Sequence, residues 1–153
     1  MNNTNKKIRH FCIVGGKTGI SFLQKTNFDS AGKYGSSMAY CLQEHPFNKV
    51  KFLVRRLEQA DEINEKRTNA KVSDLIKFKS CVKATTDHEE ALKNAHFVLL
   101  CIPAQTIPDF LEQNFELANE GSVFVNCSKG KVFESSFMLL FFVLWFFGCL
   151  NDD

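Results

Sequence analysis

His96-Phe97-Val98-Leu99-Leu100-Cys101-Ile102-Pro103 is the stretch on which the architecture turns. Phe97 to Ile102 is apolar throughout, without polar alternation, which is how a strand reads when helices cover both faces of its sheet. Working toward the amino end, Asp87 stands as an N-cap with Glu90 three residues later, a capping-box pattern that predicts a helix through Asn94. Ser80-Cys81-Val82-Lys83-Ala84 reads as a short strand before it, and residues 69–80 are looser. Leu57 to Thr68 is helical in character, with Leu57, Ala60 and Ile63 at helical spacing and charges between them. Asn48 to Arg56 reads as a strand with Val50, Phe52 and Val54 on one face. Lys7 to Gly15, through Phe11-Cys12-Ile13-Val14, reads as a buried first strand meeting a turn at Gly15-Gly16. Toward the carboxyl end, Pro103 and Pro108 bracket a loop, Asp109 to Asn119 is a helix that Gly121 ends, and Ser122 to Cys127 is the fifth strand.

Strands separated by helices in this order make an α/β domain with a Rossmann-like, mainly parallel sheet and helices on both faces. Parallel strands bring their carboxyl ends to one crevice. Here those ends carry Arg55 and Arg56, Pro103-Ala104-Gln105, and Ser128-Lys129. The ligand expected there is a nucleotide cofactor with a small anionic substrate beside it.

The 153 residues leave room for one ordinary domain, and 44% hydrophobic residues suffice for a continuous core. A formal charge of +2 with scattered lysines gives no expectation of a nucleic-acid partner. The six cysteines, Cys12, Cys41, Cys81, Cys101, Cys127 and Cys149, form no CxxC pair, and several fall inside apolar runs. They read as buried free thiols in a reducing interior, which points to a cytoplasmic protein. None of the four histidines pairs with another at metal-ligand spacing, and His96 reads as structural, so no metal is expected. The polar start, Met1 to Lys7, carries no apolar signal core, and export by a cleaved signal is not expected.

Two segments depart from this pattern. Residues 16–30 (GKTGISFLQKTNFDS) are polar and aperiodic, and separate the first strand from Ala31-Gly32-Lys33-Tyr34-Gly35-Ser36-Ser37-Met38, the small-residue start of its helix. They read as an insertion. Past Lys131 the chain becomes rich in phenylalanine, and its charge-free run over residues 137–150 is 14 residues long, against the roughly 20 a single-pass helix needs. Two readings of this tail compete: a short membrane or partner anchor through residues 135–150, or translated sequence outside the reading frame of the domain, such as a retained intron. The second explains residues 16–30 as well and is preferred. The chain thus divides into a dinucleotide-binding domain over residues 1–131 and a hydrophobic tail over 132–153.

A dinucleotide fingerprint needs one glycine for the tight turn, a second for close approach of the pyrophosphate and a third to pack helix on strand. Gly32 and Gly35 fit the last two. The first is either Gly15, displaced by the insertion, or is replaced by Ser30. Gly16-Lys17-Thr18 ends like a P-loop, but Phe11 stands where that loop needs its leading glycine. An acid at the end of the second strand would bind an adenosine ribose hydroxyl; this chain has Arg55 and Arg56 instead. Their guanidinium groups can stack on adenine or grip a 2′-phosphate, leaving both NAD and NADP open, or they are solvated surface arginines. Lys129 is either a surface lysine in a turn or a cation for a substrate phosphate.

Taken together, several pieces resemble the amino-terminal cofactor domain of NAD(P)-dependent glycerol-3-phosphate dehydrogenases. They are Arg55-Arg56, Glu62-Ile63-Asn64-Glu65-Lys66-Arg67-Thr68-Asn69, Lys83-Ala84-Thr85-Thr86-Asp87, Ile102-Pro103-Ala104-Gln105 and Cys127-Ser128-Lys129-Gly130. The resemblance implies hydride transfer between a nicotinamide cofactor and glycerol 3-phosphate or dihydroxyacetone phosphate, in a family that is often homodimeric. It implies cofactor contacts at Gly32, Lys33, Tyr34 and Gly35, an adenosine neighbour at Arg55, nicotinamide-side contacts at Pro103 and Gln105, and Lys129 on both cofactor and substrate phosphate. Val72 departs from the tyrosine the family often has near the cofactor. The family's principal catalytic lysine belongs to a helical carboxyl-terminal domain that nothing past Lys131 resembles. A noncatalytic nucleotide-binding fragment or tail-tethered module is the alternative.

Overall fold

The computed structural model describes residues 7–15, 30–70 and 75–128. Among these residues five strands form one sheet: β1 (Arg9–Gly15), β2 (Asn48–Leu53), β3 (Val82–Thr85), β4 (Phe97–Cys101) and β5 (Val123–Asn126). Their order is β3-β2-β1-β4-β5 and every pairing is parallel, with Ile13 opposite both Phe52 and Leu99. The helices are α1 (Ser30–Leu42), α2 (Leu57–Asp61), α3 (His88–Leu92) and α4 (Ile107–Asn114).

Because side chains alternate across a strand, the sheet buries two separate apolar layers. On one face Ile13, Phe52, Val54, Val82 and Leu99 pack with Ala39 of α1, Ala60 of α2 and Ile63. On the other, Cys12, Val14, Leu53, Val98 and Leu100 pack with Leu92 of α3 and Phe110 and Leu111 of α4. Helices therefore cover both faces. The apolar run of β4 is buried from Val98 to Cys101, as its lack of alternation predicts.

Several local expectations change. The helix anticipated from Leu57 to Thr68 is α2 followed by a π-helical turn over Glu62–Lys66, ended by Arg67 in the left-handed region at φ 60°. Ala60 and Ile63 are buried but Leu57 is exposed, because it opens the first turn beyond the sheet edge. The wide turn brings Asn64 to β3, where its amide donates to the Ala84 carbonyl at 2.8 Å and its oxygen accepts from the Ala84 N–H at 2.9 Å. Arg67 Nη1 donates to the Val82 carbonyl at 3.0 Å. Pro108 lies in the first turn of α4 rather than in a loop, where its missing N–H has no intrahelical partner to lose. That helix stops at Asn114, and a 3-10 turn over Phe115–Leu117 replaces its predicted end. Cys12 and Cys101 are buried, but Cys41 is exposed on α1.

Only half of the predicted capping box forms. Asp87 Oδ1 accepts from the Glu90 N–H at 3.1 Å, while the Asp87 N–H goes to Thr85 Oγ1 and Glu90 Oε1 binds Lys51 Nζ at 2.9 Å. The Glu90 carboxyl is held below its ordinary value by the Thr85 hydroxyl and then by Lys51. Asp87→Ala should lower stability by about 1 kcal/mol, read from the urea midpoint, whereas Glu90→Gln should leave the cap in place.

Candidate cofactor site

α1 begins at the carboxyl edge of the sheet and ends at the other. Its last turn is met by Asn48, the first residue of β2, whose amide donates to the Leu42 carbonyl at 2.9 Å. Its early turns lie beside the strand ends because two glycines leave room for one ring. A Cβ on Gly15 would stand 2.5 Å from Phe52 Cε2, and one on Gly35 would stand 3.0 Å from the same atom and 3.3 Å from Ile13 Cγ2. Phe52 is fully buried in this slot. Gly35 thus performs the helix-on-strand packing that the fingerprint asks of its last glycine, and Gly15 admits the ring from the sheet side. α1 sits close to the exit of β1 even though residues 16–29 intervene.

An α-helix leaves its first four N–H groups without intrahelical acceptors, and in α1, which starts at Ser30, these include that of Gly32 but not that of Lys33. Such donors, at the positive end of the helix dipole, suit an anion such as a pyrophosphate. Lys33 and Tyr34 are exposed beside them. Arg55 and Arg56 follow β2, both exposed, and neither guanidinium has a hydrogen-bond or ion-pair partner among the described residues. Arg56 is the residue before α2, in extended conformation, and its side chain caps nothing. After β4, the Pro103 carbonyl accepts from the N–H and hydroxyl of Thr106 at 2.9 and 2.8 Å, a turn that leaves Gln105 exposed. Gly15, Gly32, Arg55, Pro103 and Gln105 therefore lie along one edge. Lys129 and Val72 lie outside the described residues, as does the tail.

The thiols at this edge are neutral. Burial, then Cys127, pushes Cys101 up to about 12, and burial raises Cys127 as well. Neither supplies a thiolate at neutral pH. His10 and His96, at the amino ends of β1 and β4, are spatial neighbours that their sequence spacing hides: His96 Nδ1 accepts from the His10 N–H at 3.1 Å. Among the described residues no group of three or more His, Cys, Asp or Glu side chains is placed to hold a metal ion. No helix among them is long and apolar enough to cross a membrane.

A family model described as NAD-dependent glycerol-3-phosphate dehydrogenase N-terminus matches residues 30–144. The chain belongs to the NAD-dependent glycerol-3-phosphate dehydrogenase family. Its relatives include glycerol-3-phosphate dehydrogenase [NAD(P)+] of Bacillus subtilis (strain 168), 29% identical over 71% of this chain and 31% of that one. Glycerol-3-phosphate dehydrogenase [NAD(P)+] 2 of Mycobacterium tuberculosis (strain ATCC 25618 / H37Rv) is 38% identical over 65% of this chain and 30% of its own length. The solved glycerol-3-phosphate dehydrogenase of Coxiella burnetii superposes with a TM-score of 0.64 at 18% identity, covering 80% of this chain and 33% of that one, and so shares the fold. This member of the glycerol-3-phosphate dehydrogenase family spans about a third of the length of the curated relatives it matches.

The segment Glu62 to Asn69, quoted above for its resemblance alone, acquires a physical role that its spacing did not disclose. Glu62 Oε1 accepts from Thr68 Oγ1 at 3.2 Å and from the Ala70 N–H at 2.5 Å, Asn64 and Arg67 hold β3, and Asn69 Nδ2 donates to Ser36 Oγ on α1 at 3.0 Å. The segment ties β3 to the helix that carries Gly32 and Gly35.

Proposed function

We propose that this chain is the cofactor-binding part of a glycerol-3-phosphate dehydrogenase, holding NAD or NADP at the carboxyl edge of the sheet. The observation that carries the reading is the glycine slot around Phe52, which seats the start of α1 beside the ends of β1 and β2. In this reading the Gly32 amide binds the pyrophosphate, with Gly15 and Gly35 letting α1 pack close to the strand ends and Lys33 and Tyr34 lying against the cofactor. Arg55 and Arg56 face the adenosine end, where a guanidinium stacks on the base or pairs with a 2′-phosphate. Pro103 and Gln105 border the nicotinamide half, and Lys129 pairs with cofactor and the substrate's phosphate ester. The bound nicotinamide supplies hydride exchange with the carbon that is hydroxyl-bearing in glycerol 3-phosphate and carbonyl in dihydroxyacetone phosphate.

Fluorescence titration of the full chain with NADH and NADPH tests this. A saturable rise in nicotinamide emission is expected, weakened by Arg55→Ala, with the greater loss for NADPH if a 2′-phosphate is gripped. Absence of saturable binding with either nucleotide would overturn the reading. A dihydroxyacetone phosphate reduction assay on the same sample then separates an active dehydrogenase from a noncatalytic nucleotide module, which binds without turnover.

A further inference from the structure

Asn69 is fully buried, as is its partner Ser36, and the two are joined by the 3.0 Å bond from Asn69 Nδ2 to Ser36 Oγ. The other half of the same amide is left out: Asn69 Oδ1 is buried without a hydrogen-bond partner among the described residues. A buried acceptor with no donor is unfavourable, and an apolar side chain would avoid it. The neighbouring tie to α1 shows the contrast. Buried Gln43, just past the end of α1, satisfies both halves of its amide, donating to the Lys77 carbonyl at 3.1 Å and accepting from the Lys79 N–H at 2.8 Å.

The backbone around Asn69 is fixed on both sides. Glu62 holds Thr68 and Ala70, and the preceding Arg67 is pinned in its left-handed conformation by its bond to Val82 and by the Phe78 N–H donating to its carbonyl at 2.8 Å. Ser36 follows Gly35 directly and lies one helical turn beyond Gly32 and Lys33. A rigid anchor on the β2–β3 crossover is thus joined to the turn of α1 that follows Gly32.

The geometry points to Asn69 as a positioning residue for the dinucleotide: its bond to Ser36 sets the rotation and depth of the first turns of α1 and so aims the Gly32 amide at the pyrophosphate. The inference rests on the cofactor reading given above. Asn69 touches no ligand in it and acts through Ser36.

The test uses the full chain with Asn69→Ala, the milder Ser36→Ala and the double variant, each titrated with NADH and with AMP, which lacks the pyrophosphate bridge. A loss of NADH affinity of about tenfold is expected in either single variant, the order set by one misdirected hydrogen bond, with AMP affinity little changed. The double variant should be no weaker than either single one. Amide hydrogen exchange in the ligand-free variants should quicken at residues 33–37 while β1 and β4 stay protected. Equal weakening of NADH and AMP, additive losses, or unchanged exchange at residues 33–37 each overturn the inference. NADH binding by the unaltered chain that Asn69→Ala leaves intact overturns this inference alone, whereas no binding by the unaltered chain overturns the cofactor reading with it.

Discussion

Gly15→Ala is expected to destabilise the fold by about 1–3 kcal/mol, the range for forcing a methyl into a filled core. The added carbon would stand 2.5 Å from Phe52 Cε2 and 2.9 Å from Cζ, and the ring has no exposed side toward which to retreat. Moving it presses on α1, because a Cβ built on Gly35 would itself stand 3.0 Å from the same atoms. Phe52→Leu shortens the obstructing side chain, so the double variant Gly15→Ala, Phe52→Leu should lose less stability than the sum of the two singles. Urea denaturation of the four proteins measures this. Additive losses, or a Gly15→Ala chain as stable as the parent, would remove the shared slot from the argument.

A second large effect is expected at alkaline pH. Burial pushes both Cys12 and Cys101 from 9.0 to about 12, with Cys127 a further cause at Cys101. In the unfolded chain these thiols ionise near their ordinary value while the folded chain keeps its protons. Between those values the unfolded state binds fewer protons, so the slope of unfolding free energy against pH is negative. Their contribution is fully present below about pH 9 and is lost as pH climbs through about 12. The loss for the pair should be of order several kcal/mol. Comparing urea midpoints at about pH 7 and about pH 10.5, the double variant Cys12→Val, Cys101→Val should show a distinctly shallower fall than the parent. Lysine and tyrosine titration is common to both proteins and cancels in the comparison. Parallel falls would show that the thiols contribute nothing to the alkaline limb.

The strands and the two-faced sheet were legible because burial on both sides leaves a compositional trace: Phe97 to Ile102 admits no solvent-facing position, and Val50, Phe52 and Val54 alternate with residues of another environment. Helix starts were legible where a side chain bonds its own backbone, as Asp87 does. The second half of that cap was not, because Lys51, distant in sequence but adjacent through β2 and β3, competes for Glu90. The π-turn at Glu62–Lys66 was hidden for the same kind of reason. Ile63 continues the spacing of an α-helix, and what distinguishes the turn is the pairing of Asn64 with Ala84, 20 residues away.

At the site, Gly15, Gly32 and Gly35 stood out as glycines and Gly35 as the one that packs helix on strand, yet the side chain that Gly15 and Gly35 pack against did not. The partner that requires a missing Cβ at Gly15 and Gly35 is Phe52, which reads in the sequence as one more core residue of an alternating strand. Arg55, Arg56, Pro103 and Gln105 were placed by topology alone, since whatever follows a parallel strand arrives at the same edge. Asn69 carried no signal of its own, because its partner Ser36 lies 33 residues away and on a different element.

The bonds that Asn64 and Arg67 make to Ala84 and Val82 also govern what the molecule can join. Main-chain groups on the outer side of β3 already have side-chain companions, so a foreign peptide would have to displace two residues before it could extend the sheet there. Among the described residues the other edge strand is β5, where strand addition meets no such competition from Asn64 or Arg67.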